Sequence, residues 1–69
     1  MDWQDRIAVD PAILVGKPVI KGTRLAVSFI VSLIAEGWTQ EEVLRNYPQL
    51  SAADIHAALQ YAALILNEQ

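Results

Sequence analysis

The chain has no cysteine and one histidine, His56, so neither a disulfide nor a four-ligand zinc site of the finger type holds it together. A fold of 69 residues without such staples stands on packing. A chain this short buries only about 60% of its unfolded surface, so oligomerisation or a partner is the expected remedy. No apolar run reaches the roughly 20 residues of a membrane span, and the start Met1-Asp2-Trp3-Gln4-Asp5-Arg6 is polar and mixed in charge, unlike a signal peptide. A cytoplasmic protein with no membrane association is expected. Cations are scarce too: five Lys and Arg against eight Asp and Glu give a net charge of −3, and none follows Arg45. Such a chain is repelled by phosphate backbones, which counts against non-specific nucleic-acid binding without excluding a local basic patch.

What the chain has in quantity is apolar surface. Hydrophobic residues make up 54% of it, and part of that surface is expected to meet another chain. Glycine and positive charge coincide in one place. Residues Gly16 to Arg24 read G-K-P-V-I-K-G-T-R and hold two of the three glycines and three of the five cations. A nucleotide-binding P-loop needs a lysine directly after its second glycine, where this chain has Thr23. The block therefore reads as a structural corner whose cations give an acidic protein one basic face. No cofactor or metal is implied. An enzyme would have to use Asp10 or Glu41-Glu42 as acids and His56 as base. Adjacent carboxylates on a helix diverge by about 100°, and 69 residues leave little room for a closed pocket, so no enzymatic activity is expected.

The first 27 residues read as an extended or β arm. Ile7-Ala8-Val9 is a short β-like piece closed by Asp10-Pro11, with Ile13-Leu14-Val15 following before Gly16. Val19-Ile20 and Leu25-Ala26-Val27 flank Lys21-Gly22-Thr23-Arg24 at the spacing of a tight hairpin or a bulged corner, with glycine at positive φ. The period then changes from two to nearly four. Ser28 is placed to cap a helix to about Glu36, with Phe29, Ile30, Leu33 and Ile34 on one stripe and Gly37 as a left-handed stop. Thr39-Gln40-Glu41-Glu42 is a capping box that opens a two-turn helix burying Val43, Leu44 and Tyr47 and ending before Pro48.

Ser51 caps a third helix, to about Leu66, with Asp54 in its first turn. One stripe of that helix, Ile55, Leu59, Ala62 and Leu66, has core spacing. A second, Ala58, Tyr61, Leu64 and Ile65, leaves the helix apolar over much of its circumference and fits a covering partner. The expected whole is a single domain, residues 1–69, mainly α. Short N-terminal strands or a β-hairpin over 1–27 lead into a three-helix helix-turn-helix bundle over 28–69.

A recognition helix reads bases with Arg, Lys, Asn or Gln near its start, and here that stretch offers Ser51, Asp54, His56 and Gln60. The absence of a cation beyond Arg45 argues against a simple major-groove reader. Any DNA contact is expected at Lys17, Lys21, Arg24 and Arg45 through phosphates, with Gln49, Ser51 and His56 as polar contacts. The alternative is a protein-interaction module without DNA binding, joined through Ala58, Tyr61, Leu64 and Ile65.

The string Pro11 to Val27, P-A-I-L-V-G-K-P-V-I-K-G-T-R-L-A-V, followed by Glu36-Gly37, Thr39, Glu41-Glu42-Val43, Tyr47-Pro48, Leu50, Ile55 and Ala57 to Ala62, resembles the bacterial and archaeal domain-of-unknown-function family 433. Val15 stands where that family often has a second glycine. The resemblance implies a strand-preceded or winged, homeodomain-like helix-turn-helix. It also implies an antitoxin-like role beside a PIN-like nuclease, neutralising that toxin and repressing its operon. The partners expected from it are a second copy in a homodimer, the PIN-like toxin and operator DNA. An acidic balance suits an inhibitor that competes for a site built to attract phosphate. No active-site residue is carried over.

Overall fold

Two short apolar segments pair at the start of the chain as β1 (Ile7–Val9) and β2 (Pro18–Ile20) in the computed structural model, which describes residues 3–9 and 16–66. The strands are antiparallel, with Ile7 opposite Ile20, Ala8 opposite Val19 and Val9 opposite Pro18. Pro18 has no N–H to give a ladder and sits at the first position of its strand, where that matters least. Successive side chains of a strand point to opposite faces, yet Val19 and Ile20 are both 1% exposed. The strand β2 is therefore covered on both sides. A single 3₁₀ turn, Trp3–Asp5, precedes β1. Asp10-Pro11 and Ile13-Leu14-Val15 lie outside the described residues.

The expected hairpin around Lys21-Gly22-Thr23-Arg24 reduces to one bridge, Val19 with Ala26. The ladder partner of β2 is β1. The corner is held by Thr23, whose hydroxyl donates to the Ile20 carbonyl at 2.8 Å and accepts the Leu25 N–H at 3.0 Å. Gly22 turns the chain at φ 81°, a region that costs other residues strain.

Three helices follow: α1 (Val27–Ala35), α2 (Gln40–Asn46) and α3 (Ala52–Leu66). The first starts two residues earlier than capping by Ser28 predicts. Ala26, extended at ψ 143° because it bridges Val19, is the residue before the helix, and it makes no side-chain cap. Its carbonyl accepts the Phe29 and Ile30 N–H groups, which leaves Ser28 exposed on the first turn. The end follows the expected pattern. Gly37 at φ 102° donates to the Ile34 carbonyl at 3.0 Å, and Trp38 reaches back to that of Leu33 at 3.1 Å, the pair of bonds that closes a helix through a left-handed residue. Trp38 then packs half-buried on the core.

The capping box of α2 is complete, with Glu42 N–H to Thr39 Oγ1 at 3.1 Å and Thr39 N–H to Glu42 Oε1 at 2.9 Å. Ahead of α3 a second reciprocal pair forms. The Ser51 N–H donates to Asp54 Oδ2 at 3.0 Å and the Asp54 N–H to Ser51 Oγ at 3.3 Å. Arg6, at the entry to β1, donates from Nη1 to Asp54 Oδ1 at 3.0 Å, so one buried carboxylate both opens α3 and ties the sheet to it.

The core joins Ile7 and Ile20 of the sheet to Val27, Ile30 and Leu33 of α1, Val43 of α2, Leu50, and Ile55, Ala57 and Ala58 of α3. On α3 this face is rotated by about one residue from the expected stripe. Ile55 and Ala58 are 1% and 0% exposed, whereas Leu59 is 39% and Leu66 67% exposed. Alanines at 57 and 58 let α1 and α3 approach closely, and a leucine there would hold them apart. Phe29, also assigned to the core stripe, is 37% exposed and packs edge-on against Tyr47, 5.5 Å between ring centroids. The architecture is mainly helical, a two-stranded antiparallel sheet followed by three helices.

Candidate functional site

Beyond the level of Ala57 and Ala58, α1 and α3 leave a groove between them. The first half of α1 contributes Val27, Ser28, Val31 and Ser32, and the last two turns of α3 contribute Tyr61, Ala62, Ile65 and Leu66. Each set has the spacing i, i+1, i+4, i+5, which places four residues along one side of a helix over about two turns. Lys17 and Pro18, leading into β2, complete the lining of an open groove of about 670 Å³. Its walls are mostly apolar. Ser32 Oγ is turned inward on its own helix, donating to the Phe29 carbonyl at 2.7 Å.

Among the described residues the exposed large hydrophobics are Val9, Phe29, Leu59, Leu64, Ile65 and Leu66. Four of these lie on α3, and the last three are consecutive at its end. Tyr61 and Ile65, assigned from the sequence to a partner-covered stripe, do line the groove, and Leu64 stands exposed beside it. Ala58, assigned to the same stripe, does not belong there. It is 0% exposed and part of the core, because the residue that lets α1 approach cannot also face outward.

The candidate nucleic-acid residues are exposed but spread over the molecule. Lys17 lies in the groove beside the interface residues. Lys21 and Arg24 flank Thr23 on the corner after β2, and Arg45 sits in the last turn of α2. Gln49 is in the turn before α3, and Ser51 at the start of α3 is occupied as its cap. His56 shares the outward stripe of α3 with Ala52, Leu59, Gln60 and Ala63, a stripe without a cation. Asp54, which sequence reading grouped with the recognition residues, is 8% exposed and bound to Arg6.

The α1 side of the groove is missed by sequence reading. The repeat of Val-Ser at 27–28 and 31–32 is the signal that finds it, and it is masked by the assignment of Ser28 as a cap. Of the carboxylates once weighed as acids, Glu42 is held below its ordinary value of 4.5, first by the Thr39 N–H, then by the Thr39 side chain and Arg45. That is the signature of a cap. Asp10 lies outside the described residues. No three His, Cys, Asp or Glu side chains converge on a metal position among the described residues. No helix among them is long and apolar enough to cross a membrane.

Comparison with known proteins agrees with this architecture. Residues 7–62 match the family model described as "Protein of unknown function (DUF433)". A curated relative, "Uncharacterized protein y4eO" of Sinorhizobium fredii (strain NBRC 101917 / NGR234), is 38% identical over 56 residues, which are 81% of this chain and 25% of that protein. The crystal structure of a DUF433 member from Anabaena variabilis ATCC 29413 superposes with a TM-score of 0.86 at 32% identity, covering 94% of this chain and 64% of that one. The chain thus spans about a quarter of the curated relative and under two thirds of the solved one. Matched over most of its length, from β1 to the groove-lining Ala62, the chain belongs to the DUF433 family.

Proposed function

We propose that this chain is a protein-interaction module that assembles through the α1–α3 groove and, once assembled, serves an antitoxin-like role in the cytoplasm. The observation that carries the reading is the groove itself: an apolar channel of about 670 Å³ with no carboxylate in its lining, at the end of the helix that exposes most of the large hydrophobics. Contiguous apolar surface of this kind marks interaction sites, and paired helices receive a partner's apolar side chains in such channels. The family resemblance suggests a PIN-like nuclease as the protein the assembled module neutralises. A net charge of −3 suits competition for a phosphate-attracting site.

A second reading, a DNA-binding repressor of its own operon, draws on Arg45, Gln49 and Ser51, exposed around the α2–α3 turn, with His56 a turn further along α3. It is the weaker of the two because α3 brings no Lys or Arg to phosphate or guanine. Gel shift against the DNA upstream of its own gene decides between them. At low salt and about 10 µM protein, where even non-specific binders retard DNA, the module reading expects no shift. A shift abolished by Arg45→Ala would replace it with the repressor reading.

A further inference from the structure

We propose that the groove between α1 and α3 binds a small monocarboxylate with an apolar body, of the medium-chain fatty acid class. Such binding goes beyond protein docking at that groove, because a bound acid occupies the channel that a partner's side chains would enter. Size points to a small molecule. Ten residues line the channel, against roughly 20–30 a side in a standard protein interface, so a docked protein must reach well past it and a small molecule need not. Its volume of about 670 Å³ lies within the roughly 300–1,000 Å³ of small-molecule sites, whose walls are mostly apolar with a few placed polar groups. Val27, Val31, Ala62, Ile65 and Leu66 offer such walls.

Two polar groups determine the head of the ligand. Lys17 lines the groove, is exposed and makes no ion pair among the described residues. Ser28 does not cap α1, and its hydroxyl has no hydrogen-bond partner among those residues, whereas that of Ser32 already donates to its own helix. The Val19–Ala26 bridge is antiparallel, with Lys17 two residues before it on one segment and Ser28 two residues after it on the other. Both therefore lie on the same side of the bridge, where an ammonium and a hydroxyl can donate to one carboxylate. A single ammonium balances a single negative charge, which selects a monocarboxylate over a phosphate dianion. None of the acids of the described residues lines the groove, so on a chain of net charge −3 this is a face that admits an anion.

Titration of the isotope-labelled full chain with sodium octanoate, followed by amide shifts in two-dimensional NMR, tests this. The amides of Lys17, Ser28, Val31, Tyr61 and Ile65 should move saturably, while those of His56 and Leu59, on the outward stripe of α3, should stay. Each methylene added from hexanoate to octanoate should tighten binding about two- to fourfold, as burial of an apolar chain requires. Octylamine has the same tail with the opposite charge and should bind about five- to tenfold more weakly. Lys17→Glu, at an exposed position, should weaken octanoate by about the same factor, trading attraction for repulsion, and circular dichroism checks that the variant keeps its helices. Octylamine bound as tightly as octanoate, unchanged affinity in Lys17→Glu, or shifts spread equally over Val9 and Leu59 would each overturn the proposal. So would the absence of saturable shifts at about 10 mM octanoate, well above a millimolar Kd. That result leaves the docking reading standing, because the gel shift tests it separately.

Discussion

Replacing Asp54 with alanine tests whether one buried carboxylate joins the sheet to the last helix. The side chain accepts from Arg6 Nη1 and from the Ser51 N–H, each at 3.0 Å. Loss of the bond at the start of α3 costs about 1 kcal/mol, as for other helix caps. A fully buried ion pair broken on one side costs about 3–5 kcal/mol. Here the Asp54 side chain is 12% exposed but that of Arg6 is 32% exposed, and solvent screening reduces the term to about 1–2 kcal/mol. The total is about 2–3 kcal/mol, in a domain whose whole stability is roughly 3–10 kcal/mol. At about 4–8 °C per kcal/mol for a chain of this size, Asp54→Ala should melt about 10–20 °C below wild type by far-UV circular dichroism. Asp54→Asn keeps one carbonyl for the Ser51 N–H and should fall between them. In a double-mutant cycle with Arg6→Met the coupling should be about 1 kcal/mol or more. Additive single effects, or an Asp54→Ala melt within about 2 °C of wild type, would refute the reasoning.

The remaining predictions concern caps, packing and backbone. Because Glu42 titrates below 4.5 in the folded chain, its contribution is full above that value and is lost as pH falls through the lower one. Thr39→Ala should therefore flatten the acid side of a stability profile, and an equally steep fall in the variant would contradict this. Ala58→Leu, at a position 0% exposed, should cost about 1–3 kcal/mol in urea unfolding through overpacking. Leu59→Ala, at 39% exposure, should cost clearly less, and the reverse order would restore the unrotated stripe. At Gly37 an added Cβ meets nothing within 4 Å, yet φ is 102°. Gly37→Ala should thus lose about 1 kcal/mol from backbone strain alone, and unchanged stability would show that the glycine is dispensable.

Signals that depend on neighbours in sequence are legible from the residues. The Thr39–Glu42 box, the stop at Gly37 and the cap at Ser51 each involve residues within a few positions, and each forms as read. Signals that depend on distant packing are not. Which side of α3 faces inward is decided by how closely α1 can lie against it, and Ala57 and Ala58 win that place over Leu59, although leucine is the more apolar residue. The start of α1 is likewise fixed by the Val19–Ala26 bridge, which a local cap rule does not see. Nothing near Arg6 in sequence points to Asp54. Half of the groove is legible as the apolar surplus of α3, while the α1 wall appears only once the two helices are placed side by side.

The bond between Arg6 and Asp54 spans 48 positions, and this sets the order in which a growing chain can acquire structure. Two strands of three residues are too short to persist alone, and the inward side of α1 finds its alanine partners only near residue 58. In a nascent chain the core that joins the sheet, α1 and α3 therefore cannot close before residues up to about Ala58 are available. Until then Ile20, Ile30 and Val43, each 1% exposed or less in the folded chain, lack the face of α3 that completes their cover.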